Sequence, residues 1–459
     1  MRWPVRKKHP KIALEFKVLT ACGGLVEANG KNSSGPLAVV ARWLALLGPG
    51  LVTGAADDDP SGIFTYSQAG AQFGLTQLWT LLFMLPLMIA VQEMCARIAI
   101  ATHKGITAVI KEHYSKAWLY SIVGLLMIAN TINLGVDLGA MAEAARLIVP
   151  LPRVLAVVGF GVVAVAFQIL VPYRSYAPLL KILTVSLFTY FATCVIVTHG
   201  WKTVLRATFV PQMHFNFEFL MLIVGLLGTT ISPYMFFWQA SQEREEEVKA
   251  RRPKNAPKRP LLQHMRVDTA IGMVFSELTA WCIMLTTAEV LNANGVTDIS
   301  SAAQAASALQ PLVHNFAHAG KIAEIFFAAG ILGTGALAVP IFAATSSYAL
   351  SELLGWKASL ALKYSQAKRF YSVIVAGTLI GMSLNMIGVN PVKALVYTAV
   401  LNGVAAVPMI FLLIRITANK KIMGNCVSGR LGSTFSWLAF AGMAAAAVLT
   451  VYAAIKGGS

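Results

Sequence analysis

Charge is scarce in this sequence. Only 12% of its 459 residues are Asp, Glu, Lys or Arg, about half the share of a soluble globular domain. The mean hydropathy is +0.66. Segments of about ten alternating residues are missing too, which excludes a transmembrane β-barrel. The cysteines Cys22, Cys95, Cys194, Cys282 and Cys426 show neither metal-ligand spacing nor a disulfide framework. The first residues, MRWPVRKKHPKIALEFK, lack the apolar core of a secretory signal and read as part of a cytoplasmic tail over 1–42. Basic residues outnumber acidic ones, for a net charge of +17. They lie in short loops between apolar segments, so the excess speaks of membrane topology and not of nucleic acid.

What the chain does have is apolar stretches of about 20 residues, each long enough to cross about 30 Å of hydrocarbon. We read an all-α polytopic membrane protein with eleven spans, at 44–73, 76–101, 117–148, 153–171, 176–198, 216–241, 266–292, 321–354, 370–388, 391–416 and 433–455. The positive-inside rule tests that count independently. With the N-terminus inside, the inner segments 1–42, 102–116, 242–265, 355–369 and 417–432 hold clusters such as Arg6, Lys7, Lys8 and Arg251, Arg252, Lys254. The longest outer loop, 293–320, has neither Lys nor Arg. The C-terminus then lies outside, in a multi-pass protein of the cell membrane.

Two spans carry breaks. The first is interrupted at DDDPSG (57–62) and the sixth at GTTISPY (228–234). Proline removes a backbone donor and clashes with the preceding turn, while polar neighbours supply partners for the freed backbone groups. Breaks five spans apart point to two inverted repeats of five spans, with the transport site at their interface and an eleventh span appended. The domain reading is accordingly a tail over 1–42, a ten-span core over 43–416, and a loop with the last span over 417–459.

Asp57, Asp58 and Asp59 stand inside this apolar frame, and neither broken span offers a Lys or Arg to neutralise them. A carboxylate in the bilayer needs a partner or a water-filled cavity. A bound cation supplies one, and carboxylate and carbonyl oxygens suit hard ions such as Mg²⁺, Ca²⁺ and Mn²⁺. The competing role is structural: an Asp just before a Pro at the first helical position is a good N-cap. Asp59 is the main candidate ligand. Asp58 and Asp57 either join it or face a vestibule and attract cations.

The stretch GPGLVTGAADDDPSGIFTYSQAGAQFG (48–74) resembles the first span of the NRAMP family of divalent-metal transporters, whose members carry GPG, DPGN and QAGAQFG at this spacing. GTTISPYMFFWQ (228–239) aligns with that family's sixth span. The resemblance implies a leucine-transporter-type fold, no enzymatic activity, no cofactor, and a divalent-metal site between spans one and six. Asp59 matches the family's metal-binding Asp. Its ligand Asn is Gly62 here, its sixth-span Met is Ser232, and its two carbonyl positions are Ala56 and Thr229. Each departure removes bulk or exchanges sulfur for oxygen, which implies a harder, wetter site suited to a partly hydrated Mg²⁺. Such a pattern looks like the magnesium-transporting branch related to the family. The family's proton-linked histidines correspond to Tyr234 and Gln239. Asp137 keeps a third-span acid, whereas a nearby Glu is Ala140. These losses point to uncoupled uptake; the alternative is ordinary proton-coupled Mn²⁺ or Fe²⁺ transport.

Weaker expectations complete the list. Asn402 is a second-shell ligand or a helix–helix hydrogen-bonding group. Asp137 and Glu277 line the ion path or pair with neighbours, and Glu93 with Arg97 forms a helix-face pair. The charged run 243–259 reads as a solvated loop with helix-end charges. Partners are the cation and the lipid bilayer, with a monomer sufficient. An intramembrane aspartic protease is disfavoured because GVD (135–137) lacks the second glycine of a GxGD motif. An amino-acid transporter is disfavoured because three acids would repel a substrate carboxylate.

Overall fold

The computed structural model describes residues 49–171, 187–214, 216–249, 258–313, 318–386, 388 and 390–457. The tail over 1–42, with Cys22, lies outside them. Each expected span meets helix wherever it is described. Span one is α1 (Pro49–Asp57) and α2 (Pro60–Phe73), and span two is α3 (Leu78–Thr102). A short α4 (Ile106–His113) precedes α5 (Lys116–Ile148) and α6 (Arg153–Leu170), spans three and four. Span five is described as α7 (Phe188–Val197), followed by a surface helix α8 (Trp201–Phe209). Span six is α9 (Phe217–Thr230) and α10 (Pro233–Lys249), and span seven is α11 (Lys258–Val290). After a small α12 (Ala302–Ser307) come α13 (Ala319–Leu354), α14 (Lys368–Leu384) and α15 (Pro391–Thr417), spans eight to ten. A one-turn α16 (Lys420–Met423) leads to α17 (Arg430–Gly457), the eleventh. Among the described residues, eight stretches are long and apolar enough to cross a membrane, α2 with α3 counting as one and α9 with α10 as another; α7 and α14 are shorter.

Local chemistry sets the helix starts. Pro60, Pro233 and Pro391 each open a helix, where a missing N–H costs nothing. Asn216 caps α9 by accepting from the Phe219 N–H at 3.0 Å, and Asn390 caps α15 through Val392 at 2.9 Å.

The helices pack in two groups. In one, α11 lies against α1, α2 and α3, with α10 also on α3. In the other, α13 lies along α5, with α14 on both and α6 on α5. Spans three and eight are therefore neighbours, as are two and seven. At the breaks the halves cross: α1 touches α10 and α2 touches α9. Two repeats of opposite orientation bring their matching spans together in this way. Small residues allow the closest approach, since a Cβ on Gly54 would come within 2.8 Å of the Gly272 Cα; α1 and α11 meet backbone to backbone.

One expectation fails over 243–249. The run 243–259 is not a solvated loop where it is described, because α10 carries the acidic segment onward to Lys249. Glu243 is buried, Arg244 pairs with Glu352 at 3.2 Å, and His103 Nδ1 lies 2.7 Å from Glu247. Glu245 accepts from the Leu360 N–H at 2.9 Å and from the Tyr348 hydroxyl. Charges on a docked helix end persist when donors from neighbouring elements meet them. Glu93 does pair with Arg97 on α3, and also with Arg266 at 2.6 Å.

Candidate ion site at the helix breaks

The first break is narrow: α1 ends at Asp57, and α2 begins at Pro60. Asp59 is extended (φ −68°, ψ 170°) and caps α2, its Oδ1 accepting from the Gly62 N–H at 2.6 Å and from the Ser61 hydroxyl at 2.7 Å. The structural role weighed for this residue is real, and the helix N-terminus also favours the carboxylate's charge. Asp57 and Asp58 turn toward α11 instead. There the Ser276 hydroxyl donates to Asp57 Oδ2 at 2.6 Å and lies 3.4 Å from Asp58 Oδ1.

Around this break the structure gathers five carboxylates: Asp57, Asp58 and Asp59, Asp137 from α5, and Glu277 from α11. Asp137 is close enough to Asp59 for their charges to interact, and Glu277 is so placed toward Asp57 and Asp58. None is more than 4% exposed. Asp57 Oδ1, Asp58 Oδ2 and both oxygens of Asp137 and of Glu277 are buried without a hydrogen-bond partner. Among the described residues, no Lys, Arg or His forms an ion pair with any of the five. Buried acceptors in this state are costly unless a proton or a cation joins them. Yet no three His, Cys, Asp or Glu side chains converge closely enough to hold an ion by themselves, again among the described residues.

The second break spans Ile231 and Ser232. Ser232 turns backward, its hydroxyl lying 2.6 Å from the Gly228 carbonyl and 2.8 Å from that of Thr229, the freed acceptors at the end of α9. Tyr234 reaches across to the first break and donates to the Ala56 carbonyl at 2.7 Å. Both carbonyls expected as ligands, Ala56 and Thr229, therefore already accept a protein hydroxyl. A carbonyl has a second lone pair, so each retains an acceptor site.

Gly62 is not the opening that its small size suggested. A Cβ there would meet Thr229 Oγ1 at 3.0 Å, the Asp57 carbonyl at 3.2 Å and Tyr66 Cε2 at 3.3 Å. The missing side chain is what lets the two breaks close on each other. Gln239 lies away from them: its Oε1 accepts from Thr53 at 2.5 Å and its Nε2 donates to Glu243 at 3.2 Å, tying α1 to α10. Asn402 serves helix packing, exchanging hydrogen bonds with Asn133 at 2.8 and 3.0 Å.

Ser276, Tyr66 and Asn133 escaped the sequence reading. Ser276 beside Glu277 is a polar pair in an apolar span, a signal that was there to use. Tyr66 and Asn133 give none, because a lone tyrosine or asparagine in a span is ordinary.

Comparisons with known proteins agree with this architecture. The family described as natural resistance-associated macrophage protein-like matches residues 50–453. The divalent metal cation transporter MntH of Bacillus subtilis is 23% identical over 404 residues, covering 86% of this chain and 89% of the relative. The MntH of Yersinia enterocolitica is 26% identical over 402 residues, covering 84% and 90%. Among solved structures, a mutant manganese transporter of Eremococcus coleocola superposes with a TM-score of 0.70 at 16% identity, over 90% of this chain and 87% of its own. MhsT, solved with L-phenylalanine, gives 0.57 at 13% identity, over 87% and 98%. The fold is of the leucine-transporter type, with broken first and sixth spans.

Proposed function

The chain belongs to the NRAMP family of membrane transporters, and from that premise we propose that it carries divalent metal cations across the membrane, Mg²⁺ chiefly and Mn²⁺ as well, without proton coupling. The observation that carries this reading is the donor set at the breaks. Five buried carboxylates stand there without a cationic partner among the described residues, and the polar side chains around the two breaks include the hydroxyls of Ser61, Tyr66, Thr229, Ser232, Tyr234 and Ser276. Oxygen suits a hard ion, and Mg²⁺ readily keeps part of its water shell.

In this reading Asp59 is the anchor and Asp58 its nearest support, with the carbonyls of Ala56 and Thr229 and the hydroxyl of Ser232 lining the site across Gly62. Asp57 and Asp137 flank the path, while Tyr234, Gln239 and Asn402 position helices around it. The core over 43–416 performs transport, with 417–459 alongside. The N-terminus then lies in the cytoplasm and the C-terminus outside, in the cell membrane, a reading the charge alternation of the loops supports. An inside-negative potential drives uptake unaided: about 100 mV contributes roughly 4.6 kcal/mol for a divalent ion.

One observation favours the second reading, proton-coupled Mn²⁺ transport. Asp137 is a fully buried acid close enough to Asp59 for their charges to interact, a place where a proton can reside while the cation binds. The two separate in proteoliposomes loaded with a Mg²⁺-sensitive dye and a pH dye. The uncoupled reading expects a Mg²⁺ signal without acidification. Mn²⁺ entry with stoichiometric acidification and no Mg²⁺ signal would overturn it.

A further inference from the structure

We propose that the surface helix α8 docks in the headgroup layer of the bilayer, where Lys202 and Arg206 hold the phosphate of an anionic phospholipid. The proposal is independent of which ion the chain carries.

The order of side chains around the helix carries it. α8 (Trp201–Phe209) joins span five to span six, and each residue of a helix turns by about 100°. One sector, made of Ala207, Val204 and Thr208, is buried against the protein. The next, made of Trp201, Leu205 and Phe209, is 41%, 49% and 61% exposed. Beyond it stand Lys202 and Arg206, both exposed, and then the exposed Thr203. A helix lying in the membrane surface beside a transmembrane bundle meets protein, hydrocarbon, phosphate and water in this same order.

The placement of α8 agrees. It packs on the start of α3 and on the turn Gly74–Gln77 that joins α2 to α3, where span two enters the membrane. Trp281 Nε1 donates to the Thr208 hydroxyl at 3.1 Å, and Trp79 Nε1 donates to the Gln212 carbonyl at 3.1 Å just beyond the helix. These two contacts fix the rotation of α8, so its apolar sector stays turned away from the bundle. Tryptophans holding a polar partner with an apolar body are usual at the membrane boundary.

Charge selects the occupant. At the same end of the bundle Arg146 and Arg153 pair with Glu143, and Lys321 pairs with Glu324. Lys202 and Arg206 form no ion pair among the described residues. They stand one turn apart, close enough to flank one phosphate. Their long stems lie next to the apolar sector while their charged ends reach the phosphate layer. A zwitterionic headgroup would bring an ammonium group toward both cations, whereas an anionic one brings none.

The test reads Trp201 in the full-length chain, reconstituted in vesicles of phosphatidylcholine and phosphatidylglycerol with bromines on the acyl chains of one lipid or the other. Bromine quenches a nearby indole, and subtraction of Trp201→Phe isolates this residue among the nine tryptophans. In the wild type both lipids should quench Trp201. Brominated phosphatidylglycerol should reach half its effect at a mole fraction roughly 25-fold lower than in Lys202→Gln/Arg206→Gln, about fivefold for each basic residue. High salt should shrink that preference. In the double variant both lipids should quench equally, which reports that the helix is still folded and docked. Lys202→Arg/Arg206→Lys, which keeps the charges, should keep the preference. Trp201 left unquenched by either lipid overturns docking in the bilayer and leaves the face to a protein partner or to water. Equal quenching in the wild type, or a preference that survives the double Gln variant, overturns the phosphate site at Lys202 and Arg206.

Discussion

The two helix breaks share a plan and differ in polarity. Each is followed by a proline that opens the next helix, Pro60 or Pro233. Asp59 turns forward and satisfies donors at the start of α2. Ser232 turns back and meets acceptors at the end of α9. A side chain that caps donors must be an acceptor, and at the first break that acceptor is a carboxylate, Asp59, with Asp57 and Asp58 next to it in sequence. One that caps carbonyls must be a donor, so the second is closed by its own hydroxyl and stays neutral. In the proposed reading, cation affinity belongs to the first break, while the second contributes carbonyls and shape.

The largest effect should come from removing that charge while keeping the cap. Asp59→Asn preserves helix capping to within a few tenths of a kcal/mol, because Asn and Asp cap about equally. Divalent flux should nevertheless fall by more than about a hundredfold, beyond the loss of an outer-shell partner. Proteoliposome uptake and thermal unfolding, measured side by side, check this. Flux retained in Asp59→Asn would show the carboxylate to be structural.

Next comes the contact between the breaks. Gly62→Ala forces a methyl against Thr229 Oγ1, an overpacking that costs roughly 1–3 kcal/mol. Adding Thr229→Ala should recover much of that loss in a double-mutant cycle of unfolding temperatures. Purely additive effects would mean that the breaks do not meet at Gly62.

Ser232→Ala tests the neutral break. It should lower stability by about 1 kcal/mol for the lost carbonyl caps and lower Mg²⁺ flux far less than Asp59→Asn does. A loss of flux as deep as that of Asp59→Asn would erase the distinction between the breaks. Installing a thioether, Ser232→Met, should tilt uptake toward Mn²⁺ over Mg²⁺, since sulfur favours the softer ion. The smallest effect is expected for Asn402→Leu, which breaks the reciprocal amide pair with Asn133. Hydrogen bonds between membrane helices average about 0.6 kcal/mol, so stability should drop slightly and flux should persist.

The broken spans were legible because their signals are local. Proline, the run of aspartates and the apolar lengths act within a few residues, and the backbone has few ways to answer them in lipid. The helix–helix arrangement followed from the position of the breaks. Gly62 was misread because its neighbour Thr229 is remote in sequence, and the absence of a side chain looks the same whether it leaves room or permits contact. The segment after Gln242 was misread because its charges find Glu352, His103 and Leu360 only through tertiary packing.

By itself, then, the sequence determined that the chain spans a membrane as helices, where spans one and six break, and that Asp57, Asp58 and Asp59 sit at a break without a basic residue in either span. These follow from transfer energies and backbone sterics, which act residue by residue. Only the tertiary structure decided which way each polar group turns. It sent Asp59 to α2, Asp57 to Ser276 and Ser232 back to α9. Hydrogen bonds are directional, and their partners here lie up to 219 residues away, so only packing brings them together.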